Sequence, residues 1–136
     1  MTTDNKMKKL RIGIIEDSIA INEMYCVKFE KVGCEVETAY EGISGLELVE
    51  HFKPDLVLLD IMMPKMNGVE ILAKMRKKPW GKDVPVIILS NIDRESAPDG
   101  LKDLKFNSYM IKADYTPKQV FHEALKILGL PIPKDD

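Results

Sequence analysis

Apolar and polar positions follow two alternating rhythms along this chain. Residues 10–15 (LRIGII) form a short β-branched run, the pattern of a buried strand. Ile21, Met24, Tyr25, Phe29 and Val32 then recur near helical spacing, and Gly33 supplies a stop. Residues 34–40 (CEVETAY) alternate as a strand at a sheet edge does. Residues 43–52 are amphipathic with Leu46 and Val49 inward, and Pro54 forbids continuation. Residues 56–59 (LVLL) are apolar throughout, as a strand covered on both faces should be. Residues 62–68 (MMPKMNG) read as a loop, and 69–77 as a helix with Leu72 and Met75 inward. Residues 84–89 (VPVIIL) form a second fully apolar strand, with Pro85 near its start, where proline is tolerated.

Residues 93–105 carry the weakest helical pattern, because Pro98 and Gly100 interrupt it; only 99–104 is expected to be regular, and the segment to be mobile. Residues 107–111 (NSYMI) form the fifth strand. Thr116-Pro117-Lys118-Gln119 is a capping box with proline at the first helical position. It opens a helix whose apolar face is Val120, Phe121, Ala124, Leu125 and Leu128, ended by Gly129 and Pro131. Five strand–helix pairs in alternation predict a parallel sheet covered on both faces, with the third and fourth strands central.

Composition narrows this picture. The 136 residues amount to one domain, with residues 1–9 and 130–136 as tails. The formal charge of −2 offers no basic excess for nucleic acid or for an anionic membrane. Apolar runs of about five residues fall far short of a membrane span, and residues 1–9 are polar and lysine-rich, unlike a secretory signal. Cys26 and Cys34 match no zinc spacing and read as reduced thiols filling apolar space, which places the chain in the cytoplasm. Lys74, Arg76, Lys77, Lys78 and Lys82 surround Pro79-Trp80-Gly81 and read as a solvated helix end. Met24, Met75 and Met110 are expected on buried faces, and His51 and His122 are given no role.

Chemistry is expected just beyond the carboxyl ends of the strands, where open parallel sheets bind ligands. Glu16 and Asp17 follow the first strand, Asp60 the third, Ser90 and Asn91 the fourth, and Lys112 the fifth. Taken singly, each is an ordinary cap, turn or surface residue. Together they put three carboxylates, a hydroxyl and an ammonium on one sheet edge. Clustered carboxylates favour a hard cation such as Mg²⁺. An aspartate beside Mg²⁺ is a nucleophile toward phosphorus. Lys112 and Ser90 supply the charge and the donor that phosphoryl transfer requires.

These residues resemble the receiver domains of two-component response regulators. The resemblance runs from Leu10 to Leu128. Its most specific part is the stretch from Pro54 through Asp60 to Pro64 with Met66-Asn67-Gly68, which looks like the family's phosphoacceptor strand and loop. Glu16-Asp17 looks like its acidic pair, Ser90 its hydroxyl, Lys112 its lysine, and Tyr109 its switch aromatic. The resemblance implies an α/β, flavodoxin-like (βα)5 three-layer sandwich with a five-stranded parallel sheet of order 2-1-3-4-5. It implies a Mg²⁺ ion on Asp17, Asp60 and the Met62 backbone carbonyl, with Glu16 acting through a water. It implies phosphorylation of Asp60 by a sensor histidine kinase or a phosphotransfer protein. Ser90 and Tyr109 then switch a surface made by segment 93–105, the fifth strand and the fifth helix, for a separate downstream protein. Receivers also often form homodimers through that surface. A single-domain receiver of this length leaves no room for an output domain.

Two departures from the family pattern stand out. Ala113 follows Lys112 where proline, often cis, is usual, which puts the local geometry at Lys112 in question. Met62 and Ile92 are large and apolar where water would approach the phosphorylated aspartate. Three alternatives frame the reading: an unphosphorylated scaffold of the same fold, a phosphatase with an aspartyl nucleophile, and a flavin or nucleotide carrier. The phosphatase generally wants an acid two residues past its nucleophile, where Met62 stands. The carrier wants a glycine-rich loop where Glu16-Asp17-Ser18 stands.

Overall fold

A computed structural model describes residues 9–133. Five strands, β1 (Arg11–Ile15), β2 (Glu35–Ala39), β3 (Leu56–Asp60), β4 (Val86–Ser90) and β5 (Ser108–Ile111), form one parallel sheet of order β2-β1-β3-β4-β5. Four helices cover it: α1 (Ile19–Lys31), α2 (Gly42–Phe52), α3 (Gly68–Arg76) and α4 (Pro117–Ile127). Every residue of β3 and β4 is buried, in keeping with their unbroken apolar runs. Period-2 alternation sends their side chains to two cores. Val57, Leu59, Val86 and Ile88 pack with Val49 and Phe52 of α2 and Ile71, Leu72 and Met75 of α3. Leu56, Leu58, Ile87 and Leu89 pack with Tyr25 and Phe29 of α1 and Val120, Phe121 and Ala124 of α4. The three layers are therefore α1 and α4, the sheet, and α2 and α3.

Local signals fix where the helices start. Ser18 caps α1 by accepting from the Ile21 N–H at 3.3 Å. Asn67 and Glu70 form a reciprocal capping box at α3, as Thr116 and Gln119 do at α4. Gly68 sits where only glycine fits, because a Cβ there would meet the main-chain oxygen of Asp60 and lie 2.7 Å from the Ile61 Cα. The loop after β3 thus folds tightly back against the strand end that carries Asp60.

Two expectations are corrected. Segment 93–105 forms no α-helix; it makes two 3-10 turns, Arg94–Ser96 and Leu101–Asp103. Ala97 is extended ahead of Pro98, and Gly100 is left-handed with φ 98°, so no continuous helical ladder can form between them. Met24 is 45% exposed, whereas Met75 and Met110 are buried as expected. Ile19, Met24, Val27 and Val32 are all exposed, so α1 has apolar residues around its circumference, and helical spacing alone does not reveal which face is inside. Among the described residues no helix is long and apolar enough to cross a membrane.

Candidate functional site

The sheet order reverses direction between β1 and β3, and the site lies at their carboxyl ends. Glu16 directly follows β1, Asp60 ends β3, Ser90 ends β4 and Lys112 directly follows β5. Parallel register brings these ends level: Ile15 lies beside Leu59, Asp60 beside Leu89, and Ser90 beside Ile111. Residues up to 96 positions apart in sequence therefore converge.

Glu16 and Asp60 are each only 4% exposed, and Asp17 lies at the open rim. One carboxylate oxygen from each of the three lies within 4.8 Å of the others. The Lys112 ammonium sits 2.6 Å from Glu16 Oε1 and 3.5 Å from Asp60 Oδ1. Two backbone N–H groups complete the cradle: Ser18 donates to Glu16 Oε2 at 3.0 Å and Met62 donates to Asp60 Oδ1 at 3.2 Å. Burial, first, and then the Glu16 charge push the Asp60 carboxyl up from 3.8 to about 7. A side-chain hydrogen bond with Asp17 acts in the same direction, while Lys112 and the Met62 N–H oppose the rise. Three carboxylates against one ammonium leave excess negative charge in a cleft where two of the acids are buried, and every carboxylate donor is oxygen. That donor set fits Mg²⁺, which takes oxygen ligands and keeps part of its water shell.

The remaining expected residues surround this cluster. Ser90 is fully buried, and its Oγ accepts from the Ile92 N–H at 3.1 Å. Tyr109 is half-buried, and its hydroxyl donates to the Ile92 carbonyl at 2.9 Å, with the Asp93 carbonyl at 3.2 Å. Both side chains thus hold the same residue, Ile92, at the start of the irregular segment. Met62, two residues past Asp60, is 49% exposed. Lys112 opens a 3-10 turn, Lys112–Asp114, and no described peptide bond is cis, so the Lys112–Ala113 bond is trans. Alanine after the lysine is compatible with this turn and with the lysine reaching both acids.

Sequence reasoning missed one residue of this region, Asn22. It is fully buried on α1 behind the acidic pair. Its signal was a polar side chain at helical spacing from Tyr25 and Phe29, on the face that turns inward.

The fold, the reversal point and the carboxylate–lysine cluster define an open parallel α/β domain with an acidic site at the strand ends, and comparison with known proteins gives the family. Residues 12–124 match the response regulator receiver domain, and the chain belongs to that family. A curated relative, response regulator MprA of a Mycobacterium species (strain KMS), is 31% identical over 116 residues, covering 85% of this chain and 47% of MprA. The chain spans about half the length of that relative, and only 33% of the cyanobacterial regulator RpaA of Synechocystis, to which it is 36% identical over 80 residues. Among solved structures, a CheY-like receiver domain protein of Methanospirillum hungatei superposes with a TM-score of 0.81 at 25% identity, covering 90% of this chain and 95% of that one. The receiver domain of the Pseudomonas aeruginosa sensor histidine kinase PA1611, described with magnesium in its active-site cleft, shares the fold at TM-score 0.80 and 19% identity, over 89% of this chain and 98% of that one.

Proposed function

We propose that residues 10–129 act as a phospho-accepting switch in which Asp60 is the acceptor. The observation that carries this reading is the convergence of Glu16, Asp17, Asp60 and Lys112, with Ser90 beside them, at the ends of β1, β3, β4 and β5. An Asp60 carboxylate oxygen forms the new O–P bond. The P–N bond of a phosphohistidine on a sensor kinase or phosphotransfer protein breaks, and the imidazole keeps the electron pair. With a small acyl phosphate, the breaking bond is P–O and the carboxylate leaves. Asp17, Asp60 and the Met62 carbonyl would hold Mg²⁺, with Glu16 in an outer position beside them. When bound, Mg²⁺ offsets the negative charge gathered on the carboxylates and the phosphoryl oxygens. Lys112 leaves its contacts with Glu16 and Asp60 to pair with a phosphoryl oxygen. Asp60 must be ionised to react, and its carboxyl, pushed up to about 7 by burial and then by the Glu16 charge, gives up its proton before it attacks phosphorus.

Ser90 is the residue that reports the event. Its hydroxyl turns from the Ile92 N–H to a phosphoryl oxygen, and Tyr109, released from the Ile92 carbonyl, rotates inward. The surface that changes is segment 93–105 with β5 and α4, and its reader is a separate protein partner. The chain accepts and holds a phosphoryl group and turns over no substrate. Intact mass after incubation with Mg²⁺ and a small acyl phosphate tests this. A gain of about 80 Da, one phosphoryl group, is expected and is abolished in Asp60→Ala and by chelation.

The phosphorylated form is expected to decay slowly. Met62 and Ile92 contact Asp60 and Ser90 through their N–H groups, and neither side chain carries a charged or amide group to orient an attacking water. Following the mass-shifted species after removal of the donor is expected to show persistence over many minutes. Decay within seconds would contradict the assignment of these two residues.

A further inference from the structure

We propose that Asn22 is the positioning residue of the metal site: it sets the place of the Glu16-Asp17 pair through the main chain. The inference rests on the reading of Glu16, Asp17 and Asp60 as Mg²⁺ ligands. The Asn22 side-chain amide donates to the Glu16 carbonyl at 3.0 Å and to the Ala39 carbonyl at 3.1 Å. The Ala39 carbonyl also accepts from the Glu16 N–H at 3.0 Å, so both main-chain polar groups of Glu16 are tied into one ring with Asn22. The Asn22 N–H donates to the Ser18 carbonyl at 2.9 Å, the first hydrogen bond of α1, directly after the loop that carries both acids. Asn22 thereby joins the ends of β1 and β2 to the first turn of α1.

The other polar atom of the side chain argues that the two contacts donated by Nδ2 are what the site needs. Asn22 Oδ1 is buried and has no hydrogen-bond partner among the described residues. A buried acceptor left unpaired is costly, and an apolar residue of similar size would avoid that cost. Nothing in the packing of Tyr25 and Phe29 on the same face calls for an amide there. The clustered carboxylates do call for one, since they repel one another and drift apart unless the backbone beneath them is held. Outer partners of this kind commonly set metal affinity by tenfold or more.

The test compares Mg²⁺ affinity by calorimetry in the wild type, Asn22→Leu and Asn22→Ala. Leucine fills the space without donors, and alanine admits water to the two carbonyls. Cooperative urea unfolding followed through Trp80 verifies the fold of each. We expect at least about tenfold weaker Mg²⁺ binding in both folded variants. Acyl-phosphate labelling should be slow at low Mg²⁺ and recover toward the wild-type rate at saturating Mg²⁺, a rescue that a general loss of structure would not allow. A folded variant with wild-type affinity would overturn the proposal. So would loss of the fold in both variants, which would make Asn22 a structural residue only. Wild-type protein that binds no Mg²⁺ would instead overturn the underlying metal-site reading.

Discussion

In metal-free buffer, Asp60→Asn is expected to be more stable than the wild type above pH 7, and no more stable below pH 4. The folded-state pKa of Asp60 is raised, from 3.8 to about 7, chiefly by burial and then by the Glu16 charge. Between those two values the native protein binds more protons than the unfolded chain. Stability supplied by the neutral carboxyl is therefore fully present near pH 4 and is lost as pH rises toward 7. Above pH 7 the native state carries a charged, dry carboxylate beside a second one. A shift of this size corresponds to roughly 4 kcal/mol, at 1.36 kcal/mol per pH unit. Asparagine keeps the shape and removes the charge, so the penalty disappears. Urea unfolding in a chelator, at pH 4 and pH 8, checks this. A stability difference that does not change with pH would contradict the account of Asp60, and so would a variant less stable than the wild type at pH 8. Excess Mg²⁺ should narrow the gap at pH 8, because the cation stabilises only the protein that keeps the carboxylate.

Lys112→Met is expected to be the most damaging single change at the site. The ammonium lies between Glu16 and Asp60, and the lysine side chain is only 10% exposed. Methionine keeps much of the apolar stem and removes the charge. Removing one partner from a buried ion pair typically costs about 3–5 kcal/mol. The loss at pH 8 should fall in that range and shrink toward pH 4. The Lys112 charge holds the Asp60 pKa down, so its removal lets the aspartate neutralise itself more readily. Adding Asp60→Asn should recover part of the loss, since one of the two stranded carboxylates is then gone. Labelling by an acyl phosphate should drop by about a hundredfold or more, the usual cost of losing a preorganised positive charge at the reacting group. A Lys112→Met protein as stable and as readily labelled as the wild type would mean that the lysine belongs to the surface and not to the site.

The strands and the residues that converge at their carboxyl ends were legible in the sequence for a common reason. Each buried strand is a short apolar run, and Glu16, Asp60, Ser90 and Lys112 are the first polar residues where those runs stop. Covered parallel strands must be apolar, so a polar residue at their carboxyl end stands out. The helices were less legible. Segment 93–105 keeps apolar residues at suitable intervals, but Pro98 and Gly100 decide its backbone, and tertiary contacts hold it in place of a helical ladder. The Tyr109 hydroxyl bonds at one end, and the Arg94 guanidinium lies 4.9 Å above the Phe106 ring further along. Met24 was misplaced because α1 carries apolar residues on more than one face. Asn22 escaped notice because a polar residue within a helix reads as solvent-facing, and its hydrogen bonds to Glu16 and Ala39 depend on strands meeting in space.

Peptide mapping of the added phosphoryl group is the most direct test of the central claim. After treatment of the wild-type protein with a small acyl phosphate and Mg²⁺, the phosphoryl group is predicted on Asp60 alone, and labelling should disappear in the presence of a chelator. A phosphoryl group on any other residue, or its absence from Asp60 under saturating donor and Mg²⁺, would contradict the account.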